Sequence, residues 1–292
     1  MVHVVRNNAD EGPKLYVCST PIGNLSDVSH RLLDTLRSVD VVACEDTRHT
    51  RKLLTHFDIH PEQLISYHQH NEQSRQGFAQ HAWDEGKSIA LVSDAGTPLL
   101  SDPGAIIVDT AIERGIPVIP VPGPSALLAG LVGSGLPMTP FVYLGFPPRS
   151  AKGAKEWLTP FLPLPATLVM YESPHRLHAT LLFLREQLGD KNAVLAKELT
   201  KQYETFVRGT LSELVLYSEE ESVRGEFVIL VDNRGSLTAE VSPADQMEEA
   251  VKFVVDRVAA GERHKSAVQA ATEKYGVNRR ALYNETLSPE ET

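Results

Sequence analysis

The sequence predicts an α/β protein: two successive α/β domains followed by a small helical, helix-turn-helix-like module. Three observations carry this expectation. Short apolar runs alternate with segments that repeat apolar residues at helical spacing, as in parallel sheets with helical crossovers. The alternation changes character after Pro140, where a Pro-punctuated basic stretch interrupts it. From about Ser242 onward strand-like runs cease and the chain is helix-like and polar. A chain of 292 residues, 42% hydrophobic and 23% charged, is long enough for more than one compact core.

The first domain is expected at 14–139. Its strands fall at 15–19, 39–44, 64–67, 88–92 and 117–121, and its helices at 29–38, 49–56, 71–85, 105–114 and 126–132. Leu32, Leu33 and Leu36 share one helical face, and Phe78, Ala82 and Trp83 point inward on another. The second domain is expected at 140–241, with strands at 141–146, 167–171, 193–197 and 227–232 and a helix at 176–188. A basic linker containing a helix covers 149–165, and 205–212 reads as an edge strand turning into a helix. In the module, 242–292, Val251, Val254, Val255 and Val258 form a stripe. Helices at 266–275 and 278–287 flank Gly276, with Ala267, Val268, Ala271, Val277, Ala281 and Leu282 facing in.

Residues 1–13 are polar, lack an apolar signal core and read as a disordered lead-in. No apolar run reaches eighteen residues, so no membrane helix is expected. Cys18 and Cys44 lie in strand-like runs without a CxxC pattern and read as buried, reduced thiols of a cytoplasmic protein. His56, His60, His68 and His70 invite a metal reading, but Pro61 ends any helix carrying the first pair, and no metal is expected.

The net charge is −10, from 28 basic and 38 acidic residues, which weighs against a nucleic-acid partner. Local patches matter more than the sum. Three stand out: Arg48, His49, Arg51 and Lys52; Arg149, Lys152 and Lys155; and Arg263, His264, Lys265, Lys274, Arg279 and Arg280. Each alone reads as a solvated face, and together they point to a polyanion.

Loops at the C-terminal ends of strands are where open parallel sheets bind ligands. Neither GxGxxG nor GxxxxGK[ST] occurs, so a dinucleotide oxidoreductase or P-loop nucleotide site is not supported. STPIGNLSD at 19–27 reads as a strand-to-helix turn capped by Ser26 or Asp27. SDAGTPLLSDPG at 93–104 is harder to explain as a connection, because Gly and Pro corners admit close backbone approach to a ligand and Asp94 adds a carboxylate. PGPSA at 122–126 repeats the small-residue pattern one strand later.

At these loops the chain resembles the tetrapyrrole methylase superfamily of S-adenosylmethionine methyltransferases. More closely it is similar to the branch that 2′-O-methylates a cytidine in the decoding region of 16S ribosomal RNA. The matching stretches are STPIGNLSDVSHR at 19–31, CEDTRHTRKLL at 44–54, LVSDAGTPLLSDPG at 91–104, VPGPSALLAGLVGSGLP at 121–137, FLPLPATLVMYESPHRL at 161–177 and AKELTK at 196–201. PIGN and SDAGTP replace the wider superfamily's Gly-rich first loop and Gly-Asp-Pro loop, which weighs against a porphyrin substrate. The resemblance implies S-adenosylmethionine in an interdomain cleft, a homodimer, and 16S ribosomal RNA, within a small-subunit particle, as partner. It implies cofactor contacts at Ile22, Gly23, Asp94, Gly96, Thr97, Ser125, Ala126, Tyr171 and Leu199, mostly through backbone. A uroporphyrinogen, precorrin or diphthamide methylase of the same fold is the rival enzyme. A non-enzymatic nucleic-acid binder is the rival of another class.

Methyl transfer to a ribose hydroxyl needs in-line positioning and benefits from a base or a stabilised oxyanion. The candidates are Lys197 and Glu198, then Glu172 and Glu45, each at the end of a predicted strand. Arg48 and Arg176 suit phosphate or the cofactor carboxylate. The further RNA-contact candidates are Arg51, Arg149, Lys152, Lys155, Arg263, Lys265, Lys274, Arg279 and Arg280. The helix Ala126–Gly135 with Met138 is one candidate dimer surface, unless it packs in the core.

Overall fold

The computed structural model describes residues 12–220, 225–234 and 243–286. Residues 1–11 of the expected lead-in, and 235–242 around the expected start of the module, lie outside the described residues. The chain divides into two compact units, one ending at Asn233 and one beginning at Arg234.

The first unit opens with five short parallel strands: β1 Leu15–Cys18, β2 Val41–Cys44, β3 Gln63–Ser66, β4 Ile89–Val92 and β5 Val118–Val121. Their order in the sheet is β3-β2-β4-β1-β5. Strand alternation sends Leu15, Val41, Ala43, Ile89 and Leu91 to one face. There they pack under α3 (Glu72–Asp84) and α4 (Ala105–Glu113), through Ala79, Ala82, Trp83, Ile107 and Ala111. Cys18, Val42, Cys44, Ala90 and Val92 face α1 (His30–Ser38) and α2 (Thr47–His56), through Leu32, Leu36 and Leu54. Both faces are buried, which is why these strands read as apolar runs without alternation. Both cysteines are free, and burial first of all pushes their thiols up, to about 12 at Cys18 and about 11 at Cys44.

The expected cap at Ser26 or Asp27 is corrected. Asn24 caps a single 3-10 turn, Leu25–Asp27, and Ser29 caps α1 by accepting from Leu32 N at 3.0 Å. α2 begins two residues earlier than its apolar spacing indicates, because Asp46 caps it.

The second sheet contains β6 Phe141–Tyr143, β7 Thr167–Glu172, β8 Asn192–Lys197, β9 Thr205–Thr210 and β10 Phe227–Asp232, in the order β6-β7-β10-β8-β9. Only β6 and β7 run parallel. β10 is antiparallel to both β7 and β8, and β9 is antiparallel to β8. Apolar runs identified the strands but carried no direction. One face packs under α6 (Ala151–Leu158), α7 (Leu177–Leu188) and α8 (Leu211–Glu220).

The other face receives α5 (Ala126–Ser134). Leu127 and Leu131 pack onto Val169, Val194, Ala196, Val228 and Leu230. The glycines of this helix permit the approach: a Cβ at Gly130 would lie 3.3 Å from Val228, and one at Gly133 would overlap the Phe206 ring. The inner face of this small-residue helix therefore joins the first sheet's last crossover to the second sheet. Its outer face leaves Leu128 and Val132 exposed.

The second unit contains α9 (Pro243–Ala259), α10 (His264–Tyr275) and α11 (Arg279–Glu285). Ala250, Val254, Ala267, Val268, Ala271, Val277 and Leu282 form its core. Val255 and Val258 are exposed, which corrects the expected stripe. The inward face of α9 runs through Met247, Ala250, Val251 and Val254. Gly276 ends α10 in the left-handed region (φ 67°), and Asn278 caps α11 by accepting from Arg280 N and Ala281 N. Among the described residues no helix is long and apolar enough to cross a membrane.

Candidate functional site

The sheet order explains why loops distant in sequence meet. β2, β4, β1 and β5 are successive neighbours, so the loops after them converge at one sheet edge. Backbone and side chain then lock them. Thr20 and Gly96 exchange two backbone hydrogen bonds, N to O, at 2.8 and 3.1 Å. The Thr20 hydroxyl donates to Ser93 O, and the Ser19 and Thr97 hydroxyls pair at 2.8 Å. Thr97 also donates to Pro124 O, tying in the loop after β5. Thr97 is thus a clamp between three loops, and its side chain is engaged by protein groups.

Above this edge lies a cavity of about 420 Å³, within the size range of small-molecule sites. Ile22, Asp94, Gly96, Ser125, Ala126, Tyr171 and Leu199 line it, as does Thr97. Gly23 does not; it faces a neighbouring recess, and the stem of Lys201 packs where its Cβ would stand. Leu99, Ser101, Glu198 and Thr200 all hold positive φ (73°, 69°, 52° and 67°) in the two turns that frame the cavity. Non-glycine residues seldom do so, and such strain gathers at functional sites.

The cavity wall combines apolar and aromatic surface with carboxylates. Leu100, Val228, Phe146 and Tyr171 supply the former. The Tyr171 ring meets Tyr143 and Phe146 edge-on, and its hydroxyl accepts from Leu127 N at 3.0 Å. Among the described residues, Asp94, Asp102, Glu172 and Glu226 are the charged residues of the lining, with no lysine or arginine beside them. Asp94 is fixed by the backbone N–H of Asp46, which donates to Oδ1 at 3.0 Å. Burial, then the neighbouring Glu45 charge, pushes Asp102 up to about 6. Burial and the Asp94 charge also raise Glu45. The Ser125 hydroxyl is buried in the lining without a hydrogen-bond partner.

The remaining candidates are placed less favourably for chemistry. Glu172 contributes to the wall, but its carboxylate is buried and engaged. Oε1 accepts from Ser173 N and Oγ, Oε2 accepts from Thr180 Oγ1 at 2.6 Å, and Arg176 lies 3.4 Å away. Arg176 in turn donates to Pro147 O at 2.6 Å, so it holds the turn after β6. Glu198 and Lys197 do not line the cavity. Lys197 falls on the α7–α8 face of its strand, in phase with Ala193 and Leu195. Glu198 accepts from Lys201 Nζ at 3.0 Å and Glu226 N at 3.1 Å. Burial works to raise its pKa, but these bonds outweigh it and hold the carboxyl below its usual range.

Among the basic candidates, Arg48 grips Asp46 at 2.7 and 3.1 Å and holds that carboxyl at about 2. Arg51, Arg149, Lys152 and Lys155 are exposed, with Lys152 3.8 Å from Glu156. Arg263, Lys265, Arg279 and Arg280 are exposed on the second unit, whereas Lys274 lies over the Phe253 and Tyr275 rings. Of the histidines, His60 pairs with Asp58, and His68 meets His70 edge-on. Among the described residues no three His, Cys, Asp or Glu side chains gather to hold a metal.

Asp102 is the residue that sequence reasoning missed. It sits eight positions after Asp94 in the same loop, but nothing in a one-dimensional pattern shows that the loop doubles back to bring both carboxylates to one cavity. Phe146 and Tyr143 carry no sequence signal of their own: they lie in and just after β6, far along the chain from the Gly- and Pro-rich loops.

Comparison with known proteins agrees with this architecture. Residues 14–215 match the family model of tetrapyrrole (corrin/porphyrin) methylases. A protein of Halalkalibacterium halodurans named ribosomal RNA small subunit methyltransferase I is 44% identical over 278 residues, 94% of this chain and 95% of that protein. Its namesake from Bacillus subtilis is 42% identical, covering 92% of each. Among solved structures, a uroporphyrin-III C-methyltransferase of Thermus thermophilus in complex with S-adenyl homocysteine superposes with a TM-score of 0.55 at 21% identity, covering 76% of this chain and 98% of that one. A diphthine synthase superposes with a TM-score of 0.58 at 16% identity, covering 74% and 88%. On the extent of the family match and the identity to full-length relatives, the chain belongs to the tetrapyrrole (corrin/porphyrin) methylase family.

Proposed function

We propose that this protein transfers a methyl group from S-adenosylmethionine to the ribose 2′-hydroxyl of a cytidine in the decoding region of 16S ribosomal RNA. The observation that carries the cofactor reading is the cavity itself. Among the described residues it offers carboxylates and no basic side chain to its ligand, which suits a cationic sulfonium and ammonium and disfavours a di- or triphosphate. Its small residues and aromatic wall accommodate a flat base, and the unpartnered Ser125 hydroxyl offers a free polar contact. Ile22, Asp94, Gly96, Ser125, Ala126 and Leu199 would hold the cofactor. When bound, it supplies a methyl group on a positively charged sulfur. The RNA substrate is supported by the names of the full-length relatives.

The chain's own chemistry is orientation and proton management. Asp94, locked by Asp46 N, presents a carboxylate in a fixed position. Asp102 has a carboxyl near pH 6, so it is ionised at neutral pH yet basic enough to accept a hydroxyl proton. Glu172 and Glu198, tied by hydrogen bonds, lack that freedom. The substrate form is the assembled small-subunit particle, and the protein acts as a homodimer through the outer face of α5, where Leu128 and Val132 are exposed.

The test is methylation of small-subunit particles from a strain lacking this gene, with methyl-labelled cofactor. Label retained at a single cytidine, with the adjacent phosphodiester resistant to alkali, supports the reading. Label on a base, or none on RNA but transfer to a tetrapyrrole, overturns it.

A further inference from the structure

A second recess of about 440 Å³ adjoins the cofactor cavity and shares Asp94 with it. Its wall is one face of α2: His49, Lys52, Leu53 and His56 stand at i, i+3, i+4 and i+7. Facing them is the loop after β1. Ile22 of that loop lines the cofactor cavity, while its neighbours Pro21 and Gly23 line the recess. One short loop therefore separates the two spaces.

We infer that this recess takes the sugar–phosphate backbone of the RNA strand next to the methylated ribose, with Lys52 and His49 as its phosphate contacts. The inference rests on the RNA reading above. Charge complementarity chooses the occupant. Lys52 is exposed and has no hydrogen-bond or ion-pair partner among the described residues, and two imidazoles on the same face add donors. Among the described residues Asp94 is the single carboxylate of the lining, and its Oδ1 is already engaged by Asp46 N. Thr50, buried in the floor, has no partner for its hydroxyl beyond a weak contact with the Cys44 thiol. The acidic cavity and the basic recess thus divide the labour between a cationic cofactor and an anionic strand.

Helical phase also selects which cations of α2 face the recess. Arg48 and Arg51, the RNA-contact candidates named on this helix, do not line the recess, and Arg48 grips Asp46. His49 and Lys52, each one residue further along the helix, do.

The test uses the full chain with two probes, methylase-deficient small-subunit particles and a short single-stranded oligocytidylate. Lys52→Met should raise KM for the particles and Kd for the oligonucleotide about three- to tenfold. It should lower the slope of log affinity against log salt by about 0.7, one phosphate contact to a single strand. Lys52→Arg should restore both, while kcat and the Kd for S-adenosylmethionine stay at wild-type values. His49→Gln should show a smaller effect in the same direction. Wild-type KM and salt slope in both Lys52→Met and Lys52→Glu would overturn the inference while leaving the RNA reading intact. An effect on particles but none on the oligonucleotide would also overturn it, assigning the recess to a ribosomal protein. A wild-type protein that neither binds nor methylates RNA would overturn both together, which distinguishes the two failures.

Discussion

The backbone N–H of Asp46 donates to Asp94 Oδ1 at 3.0 Å, joining the loop after β2 to the loop after β4. The same carboxylate lines the candidate cofactor cavity. One side chain therefore does two things, and two substitutions separate them. Asp94→Ala removes both the loop lock and the charge. Asp94→Asn retains an acceptor for Asp46 N and removes only the charge. Calorimetry should show S-adenosylmethionine bound about ten- to a hundredfold more weakly by both variants, the worth of a charge-assisted hydrogen bond. Thermal denaturation should show loss of stability in the alanine variant alone. Unchanged affinity in both would remove Asp94 from the binding site.

Gly96 holds φ at +86°, and a Cβ there would sit 3.3 Å from Ile22 Cγ2. Gly96→Val combines backbone strain with a side chain at the cavity wall. The expected result is a folded protein, about 1–3 kcal/mol less stable, with no measurable cofactor binding. Retained binding at wild-type affinity would show that the cofactor does not approach this loop.

Asp102 links stability and rate to pH. Its carboxyl stands near 6, raised first by burial and then by Glu45, against about 3.9 in an unfolded chain. The folded protein therefore takes up a proton between about pH 6 and 4, and its stability falls as pH rises across that window. Asp102→Asn, which mimics the protonated form, should stabilise the protein by about 1–2 kcal/mol at pH 7–8, discounted for partial exposure. The gain should vanish near pH 4. If Asp102 accepts the hydroxyl proton, wild-type kcat/KM falls below about pH 6 and the variant loses that acid limb along with most of its rate. A variant with the wild-type rate and pH profile would exclude Asp102 from proton transfer.

Glu172 should behave as a structural residue. Its buried carboxylate accepts from Ser173 N and Thr180 Oγ1 and faces Arg176. Removing it leaves the Ser173 N–H and the Thr180 hydroxyl without their acceptor, at about 1–3 kcal/mol, so Glu172→Ala should unfold at clearly lower denaturant. Thr180→Val, which removes one of the same hydrogen bonds from outside the cavity, should move stability in the same direction. A Glu172→Ala protein that melts like wild type but has lost its rate would return Glu172 to the chemistry.

What the sequence shows and hides follows from geometry. The first sheet was legible because strands buried on both faces leave apolar runs, and loops rich in Gly and Pro mark the C-terminal edge. Antiparallel β10 was not, because direction leaves no trace in composition. The loops at 19–27, 93–104 and 122–126 identified most of the cavity wall. The roles within it were less legible. Thr97 and Arg176 resemble ligand contacts in type, yet their partners are protein groups: Ser19 and Pro124 for one, Pro147 and Glu172 for the other. Lys197 ends a strand at the right place but falls on the wrong face, a one-residue distinction that strand pleating makes decisive.

The second unit is expected to add affinity for RNA without touching the chemistry. α10, the turn at Gly276 and α11 pack around Ala267, Val268, Ala271 and Leu282, leaving Arg263, Lys265, Arg279 and Arg280 exposed. Lys274 is partly occupied by its contact with the Phe253 ring, so the four others are the better-placed cations. α11 has only seven residues, and the RNA major groove is too deep and narrow for it to read bases. Phosphate contacts are what such a surface can offer. In the full chain, Arg279→Glu with Arg280→Glu should raise KM for small-subunit particles about tenfold or more at low salt, and much less at high salt. The Kd for S-adenosylmethionine and the melting temperature should stay at wild-type values, since neither side chain enters the core. Leu282→Ala, by contrast, opens a cavity in that core and should unfold the unit locally, raising KM through loss of structure. Wild-type KM in the double reversal at both salts would show that this basic face is merely solvated.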